Sequence, residues 1–147
     1  INLHTRNYPN RGNGDGTLAN YYVNLSMAYA QLGNTRKAVD AAAGAVVSWG
    51  RDVSSRSAAL ATLRNALNQS PDLSAFISGY EQEVKDSGLD SPIIRRALGS
   101  VLAEKKRYPE AISNLSAVLE LTPGDNEALQ MLIEAYDAGN LLKDPNL

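Results

Sequence analysis

The chain has 147 residues, enough for one domain with a real core, and its 44% hydrophobic and 20% charged residues are those of a soluble globular protein. A formal charge of −2 and a pI near 5.4 supply no basic surface for a polyanion, so nucleic acid is not an expected partner. The absence of cysteine excludes disulfide frameworks, thiolate catalysis and thiolate metal sites, and the longest apolar run (41–49, AAAGAVVSW) falls far short of the roughly 20 residues a membrane helix needs, so no membrane insertion is expected.

Residues 1–18 read as an extended linker, rich in asparagine and glycine and without periodicity. Asn13-Gly14-Asp15-Gly16 resembles part of a calcium loop, but Arg11 and Tyr22 stand where its carboxylates belong, so no metal is expected. His4, the one histidine, lies alone in this polar segment and makes neither a metal ligand nor a base. The opening isoleucine suggests a piece of a longer or processed protein.

From residue 19 the apolar spacing becomes that of helices, and no strand-like alternation is found. In 19–52, Tyr22, Leu25, Ser26 and Tyr29 form one stripe, Gly33-Asn34-Thr35 a turn, and Ala38, Val39, Ala42, Ala45, Val46 and Trp49 a second apolar face. Residues 53–91 hold two helices split by Ser70-Pro71, with Phe76 as the large residue of the second helix. This unit is five residues too long and reads as a divergent repeat with an extended turn, or as an inserted hairpin. In 92–125, Leu98, Gly99 and Leu102 share a stripe. Pro109 opens a second helix faced by Ala111, Ile112, Leu115, Val118 and Leu119, and Thr122-Pro123-Gly124 stops it. A terminal helix, 126–140, repeats the first stripe as Leu129, Leu132, Ile133 and Tyr136, and the interval from Leu98 to Leu132 equals that from Leu102 to Tyr136. It is expected to cap the array with that stripe inward, because Asp144-Pro145 cannot begin a companion helix.

This spacing and pattern resemble the tetratricopeptide repeat. Residues 92–125 match its signature at Leu98, Gly99, Ala111, Leu115 and Pro123, and residues 19–52 match at Tyr22, Leu25, Tyr29 and Ala38. The resemblance implies an all-α, right-handed α-solenoid of antiparallel helix pairs, with about three repeats plus a C-terminal helix. It also implies a non-catalytic module that binds a protein or peptide on the concave face of its first helices. That face would carry Asn20, Val23, Asn24, Met27 and Gln31, then Arg96, Ser100 and Glu104, then Glu127, Gln130 and Glu134. The family's chaperone-binding members clamp a terminal carboxylate with lysines. Those lysines are missing here, so such capture is not expected.

No nucleophile–base pair is visible, the helical carboxylates are spaced as solvated faces, and neither enzymatic activity nor a cofactor is expected. The Asn-x-Ser triplets at Asn24, Asn68 and Asn114 fall in helices and make poor glycosylation sites. The alternative function is a structural spacer or self-assembly unit within a larger parent, with no free ligand. A homo-oligomer or an intramolecular contact stays open, as does the compartment, cytoplasmic or periplasmic.

Overall fold

The computed structural model describes residues 16–49 and 53–139, and among them every regular element is an α-helix. Seven follow in order: α1 (Gly16–Gln31), α2 (Thr35–Trp49), α3 (Val53–Asn68), α4 (Leu73–Ser87), α5 (Pro92–Glu104), α6 (Tyr108–Leu121) and α7 (Asn126–Ala138). The chain divides into two compact units, Ile1–Glu83 and Val84–Leu147, the division falling within α4. In the first unit α1 packs on α2, α2 on α3, and α1 also meets α3. In the second, α5, α6 and α7 repeat this arrangement. The expected all-α architecture of helices packed in succession is therefore present. Helix α1 starts earlier than the sequence suggests: residues 16–18 are helical and Leu18 is buried. His4, Arg11, Asn13–Asp15, the Trp49 side chain and the residues from Asn140 onward lie outside the described residues.

The turn joining α1 to α2 and the turn joining α5 to α6 have the same construction. Gly33 (φ 79°) and Lys106 (φ 63°) are both left-handed, and each is followed by an N–H that reaches back to close the helix end. Asn34 N–H donates to the Tyr29 carbonyl at 3.0 Å, and Arg107 N–H to the Leu102 carbonyl at 2.8 Å. One residue earlier, Gly33 N–H donates to Ala30 and Lys106 N–H to Ala103, both at 3.0 Å. This pair of bonds satisfies carbonyls that a helix C-terminus otherwise leaves open.

Pro71 occupies the corresponding place between α3 and α4. Its ring locks φ on the negative side and it has no N–H, so this turn cannot be repeated there. Instead, Asp72 caps α4 by accepting from Ala75 N–H at 3.0 Å.

A leucine series sets the register of the first helices: Leu25, Leu63, Leu98 and Leu132. Taking the step from Leu98 to Leu132 as the period, the step from Leu63 to Leu98 is one position longer, and that from Leu25 to Leu63 is four positions longer. Leu63 and Leu98 are fully buried, whereas Leu25 and Leu132 are half-buried. One turn later come Tyr29, Leu67, Leu102 and Tyr136, with Leu67 and Leu102 again fully buried. On this register, four of the five extra residues lie at the start of α3, within the middle unit: Leu63 stands ten positions after the first residue of α3, whereas Leu98 and Leu132 stand six after those of α5 and α7.

The same alignment moves Phe76. It stands at the small position held by Ala38 and Ala111, and Tyr80 takes the large one held by Leu115. Their rings lie 6.4 Å apart and 15° from parallel. Arg36 on α2 fastens this part of α4, with its guanidinium 5.5 Å from the Tyr80 ring centre and ion pairs to Glu83 (2.9 Å) and Asp40 (3.2 Å).

Between α5 and α6 the fit depends on a missing side chain. A Cβ on Gly99 would lie 2.5 Å from Leu115 Cγ, so the α5 backbone can approach only because residue 99 has none. Between α1 and α2 the bulk is exchanged. Ser26 takes the place of Gly99, Ala42 that of Leu115, and the Ser26 hydroxyl donates to the Ala38 carbonyl at 2.7 Å. Both junctions are buried.

Candidate functional site

The eleven residues expected on the binding face fall on three helices. In the first unit, α1 carries Asn20, Val23, Asn24, Met27 and Gln31. All are exposed except Val23, which is half-buried, and Met27 is an exposed large apolar side chain at 54%. Met27 lines a narrow cleft of about 110 Å³ with Ser26 and Ala30 of α1 and Thr62, Asn65, Ala66 and Gln69 of α3. In the second unit the same construction returns on a larger scale. Ser100, Ala103 and Glu104 of α5 face Met131, Glu134, Ala135 and Ala138 of α7 across a cleft of about 320 Å³, with Tyr108 completing its lining. The two clefts share their spacing: positions 27 and 30 correspond to 100 and 103, and positions 62, 65, 66 and 69 to 131, 134, 135 and 138.

The larger cleft therefore gathers three of the expected residues, Ser100, Glu104 and Glu134. Its floor is apolar, made by Ala103, Ala135, Met131 and the Tyr108 ring, while two carboxylates sit on its lining. Gln130 donates to Glu134 Oε2 at 3.1 Å and orients that carboxylate from one turn away. Among the described residues, no cation lines this cleft. A groove of this composition complements an apolar side chain with a positive charge beside it.

Arg96 does something else. Its side chain is only 18% exposed, and the guanidinium donates to Asp125 Oδ2 at 3.0 Å, with Glu127 at 3.9 Å. Asp125 uses its other oxygen to accept from Ala128 N–H at 2.9 Å and so caps α7. Arg96 thus ties α5 to the start of α7, and its hydrogen-bonding capacity serves the fold.

Arg95 also escapes the sequence reading. It is 6% exposed, with Nε donating to both Asp90 oxygens (2.9 and 3.1 Å) and Nη1 to Asn114 Oδ1 at 3.0 Å. Asn114 Nδ2 in turn donates to the Glu110 carbonyl at 3.0 Å. This network joins α5 to α6 and takes the Asn114 amide out of solvent. The signal was the place of Arg95 in the stripe position of Tyr22, on a helix face that has to be buried.

The inner face of α7 is displaced from the expected stripe. Ala128 and Ala135 are the buried residues, Met131, Leu132 and Tyr136 are half-buried, and Leu129 and Ile133 stand 43% and 49% exposed. The covered side of α7 is thus marked by its alanines, and the Leu129–Ile133 edge is the open one. Helix α7 therefore does not close the second unit with an inward leucine stripe.

Among the described residues, no group of three or more His, Cys, Asp or Glu side chains is placed to hold a metal ion, and no helix is long and apolar enough to cross a membrane. Compared with known proteins, the chain matches no protein-family model, no curated protein and no solved structure.

Proposed function

We propose that the chain is a tetratricopeptide-like interaction module, a right-handed solenoid that binds a peptide or protein segment along its first helices without any chemical step. The observation that supports this reading is the α5–α7 cleft, where Ser100, Glu104 and Glu134 converge over an apolar floor. The matching, smaller α1–α3 cleft with Met27 supports it further, because two grooves of one design are what repeated first helices produce. The acidic lining favours a segment with lysine or arginine next to an apolar residue, whose aliphatic stem covers Ala103 and Met131. A spacer or self-assembly role is the second reading, and the exposed Leu129–Ile133 edge favours it.

A peptide library displayed against the full chain tests the proposal. Enriched peptides should carry a basic residue beside an apolar one and should lose most of their affinity for Glu104→Lys, whose exposed position leaves the fold intact. A library that yields no binder, or binders indifferent to Glu104→Lys, overturns it.

A further inference from the structure

The α5–α7 cleft holds more negative charge than its own unit satisfies. Among the described residues Glu104 carries no hydrogen bond or ion pair, so both of its carboxylate oxygens can accept from a ligand. Glu134 is held through Oε2 by Gln130 at 3.1 Å, which fixes the place of that carboxylate. The arginines of the same unit are committed elsewhere: Arg95 to Asp90 and Asn114, Arg96 to Asp125, and Arg107 to Glu110. In residues 108–147 the one cation is Lys143, so residues 140–147 hold no arginine.

Tyr108 supplies the cleft's one aromatic side chain, and its seat is built by an absence. A Cβ on Gly139 would stand 3.1 Å from Tyr108 Cβ and 3.3 Å from Cδ2, tighter than ordinary contact, so Tyr108 lies against bare backbone at the end of α7. Gly139 has a φ of −82°, which any residue adopts, so its backbone does not call for glycine. The place of Tyr108 does.

An aromatic side chain beside open carboxylates tells the two basic residues apart. The arginine guanidinium is planar and weakly hydrated. It stacks on an aromatic ring and offers a fork of N–H groups that matches both oxygens of one carboxylate. The lysine ammonium is a strongly hydrated point charge, and it would have to shed water over Ala103, Met131 and Ala135 without that fork. Given that this cleft is the binding site, we propose that it selects arginine over lysine in a bound peptide segment, with the guanidinium on Glu104 and against Tyr108. Gly139 is then a positioning residue, which seats Tyr108 for that choice.

The probes are two blocked heptapeptides, GALRLAG and GALKLAG, titrated against the full chain by nuclear magnetic resonance, which reads weak binding. The arginine peptide should bind about tenfold more tightly than the lysine peptide. Tyr108→Leu, which keeps the apolar bulk, should bring that ratio close to one, and Gly139→Ala should lower it by displacing Tyr108. A purely structural role for either residue would weaken both peptides alike and leave the ratio unmoved, which overturns the assignment. Glu104→Gln should weaken the arginine peptide by about tenfold. Equal affinity of the two peptides, each dependent on Glu104, overturns the selection while the cleft reading stands, whereas binding by neither overturns both. Lys143→Gln, outside the described residues, should leave both affinities unchanged. Tighter binding on that change would assign the cleft to residues 140–147 and overturn the proposal.

Discussion

Gly99 and Leu115 occupy one space: a Cβ on the glycine would stand 2.5 Å from Leu115 Cγ and 2.6 Å from Cδ2. Alanine is the better helix former, yet here it has no room. Gly44 offers the opposite case, since a Cβ there meets the Tyr22 ring at 3.4 Å, an ordinary contact distance. Gly99→Ala should therefore lower stability by about 1–3 kcal/mol through overpacking. Gly44→Ala should raise it by up to about 1 kcal/mol through helix propensity. Denaturant unfolding of the two variants beside the parent separates the effects by sign.

That contrast also shows how far the sequence could be read. Spacing alone identifies Leu98, Leu102, Ala111 and Leu115 as one core, because a three-and-four period means the same thing wherever it occurs. The Leu129 stripe has the same period and yet is half uncovered. Period reports which residues share a face, and only packing reports whether anything lies against it. Arg95 was hidden for the converse reason. A charge reads as surface until a partner such as Asp90, supplied from just before the helix, makes burial tolerable. The cleft was legible as a set of helix positions, but its acidic, apolar-floored character emerged once α5 and α7 were set side by side.

The left-handed turn gives a second test. Lys106 is strained in a conformation that Gly33 adopts freely at the corresponding place. Lys106→Gly relieves that strain, less the extra freedom glycine has in the unfolded chain, and should stabilise by about 0.5–1 kcal/mol. Gly33→Ala should destabilise by about 1–2 kcal/mol. Thermal melts of both check the equivalence of the two turns, and effects of the same sign would refute it.

Asp40 provides a pH-dependent test. Burial pushes its carboxyl above the ordinary value of 3.8, against the lowering effect of Arg36 and with a further push from Glu83. A carboxyl raised in the folded state favours folding when protonated. Its contribution is fully present below pH 3.8 and is lost as pH rises through the folded-state value. Relative to Asp40→Asn, the parent should therefore lose ground as pH climbs from about 3 to neutrality. Glu110 shifts the other way, held down by its hydrogen bonds from Arg107, so its contribution fades as pH falls. The difference in melting temperature between parent and Asp40→Asn, followed across pH, isolates the Asp40 effect. A difference that is flat, or that runs in favour of the parent as pH rises, would contradict the assignment.

The leucine register makes the sharpest prediction about the fold, because one residue type at one helix position meets different surroundings. Leu63 and Leu98 are wholly buried, so truncating either to alanine removes the side-chain transfer energy and leaves a cavity, for about 2–5 kcal/mol. Leu98→Asp should go further and unfold its unit, since an unpaired charge would be forced into a fully buried site. Leu132 is half-buried, and its truncation should cost only about 1 kcal/mol. Ile133, next to it and half exposed, should tolerate glutamine within about 0.5 kcal/mol. The cost in unfolding free energy should therefore fall in the order Leu98, Leu132, Ile133. If Ile133→Gln proves as damaging as Leu98→Ala, the outer edge of α7 is already covered within the chain, and the register that places Ile133 outside is wrong.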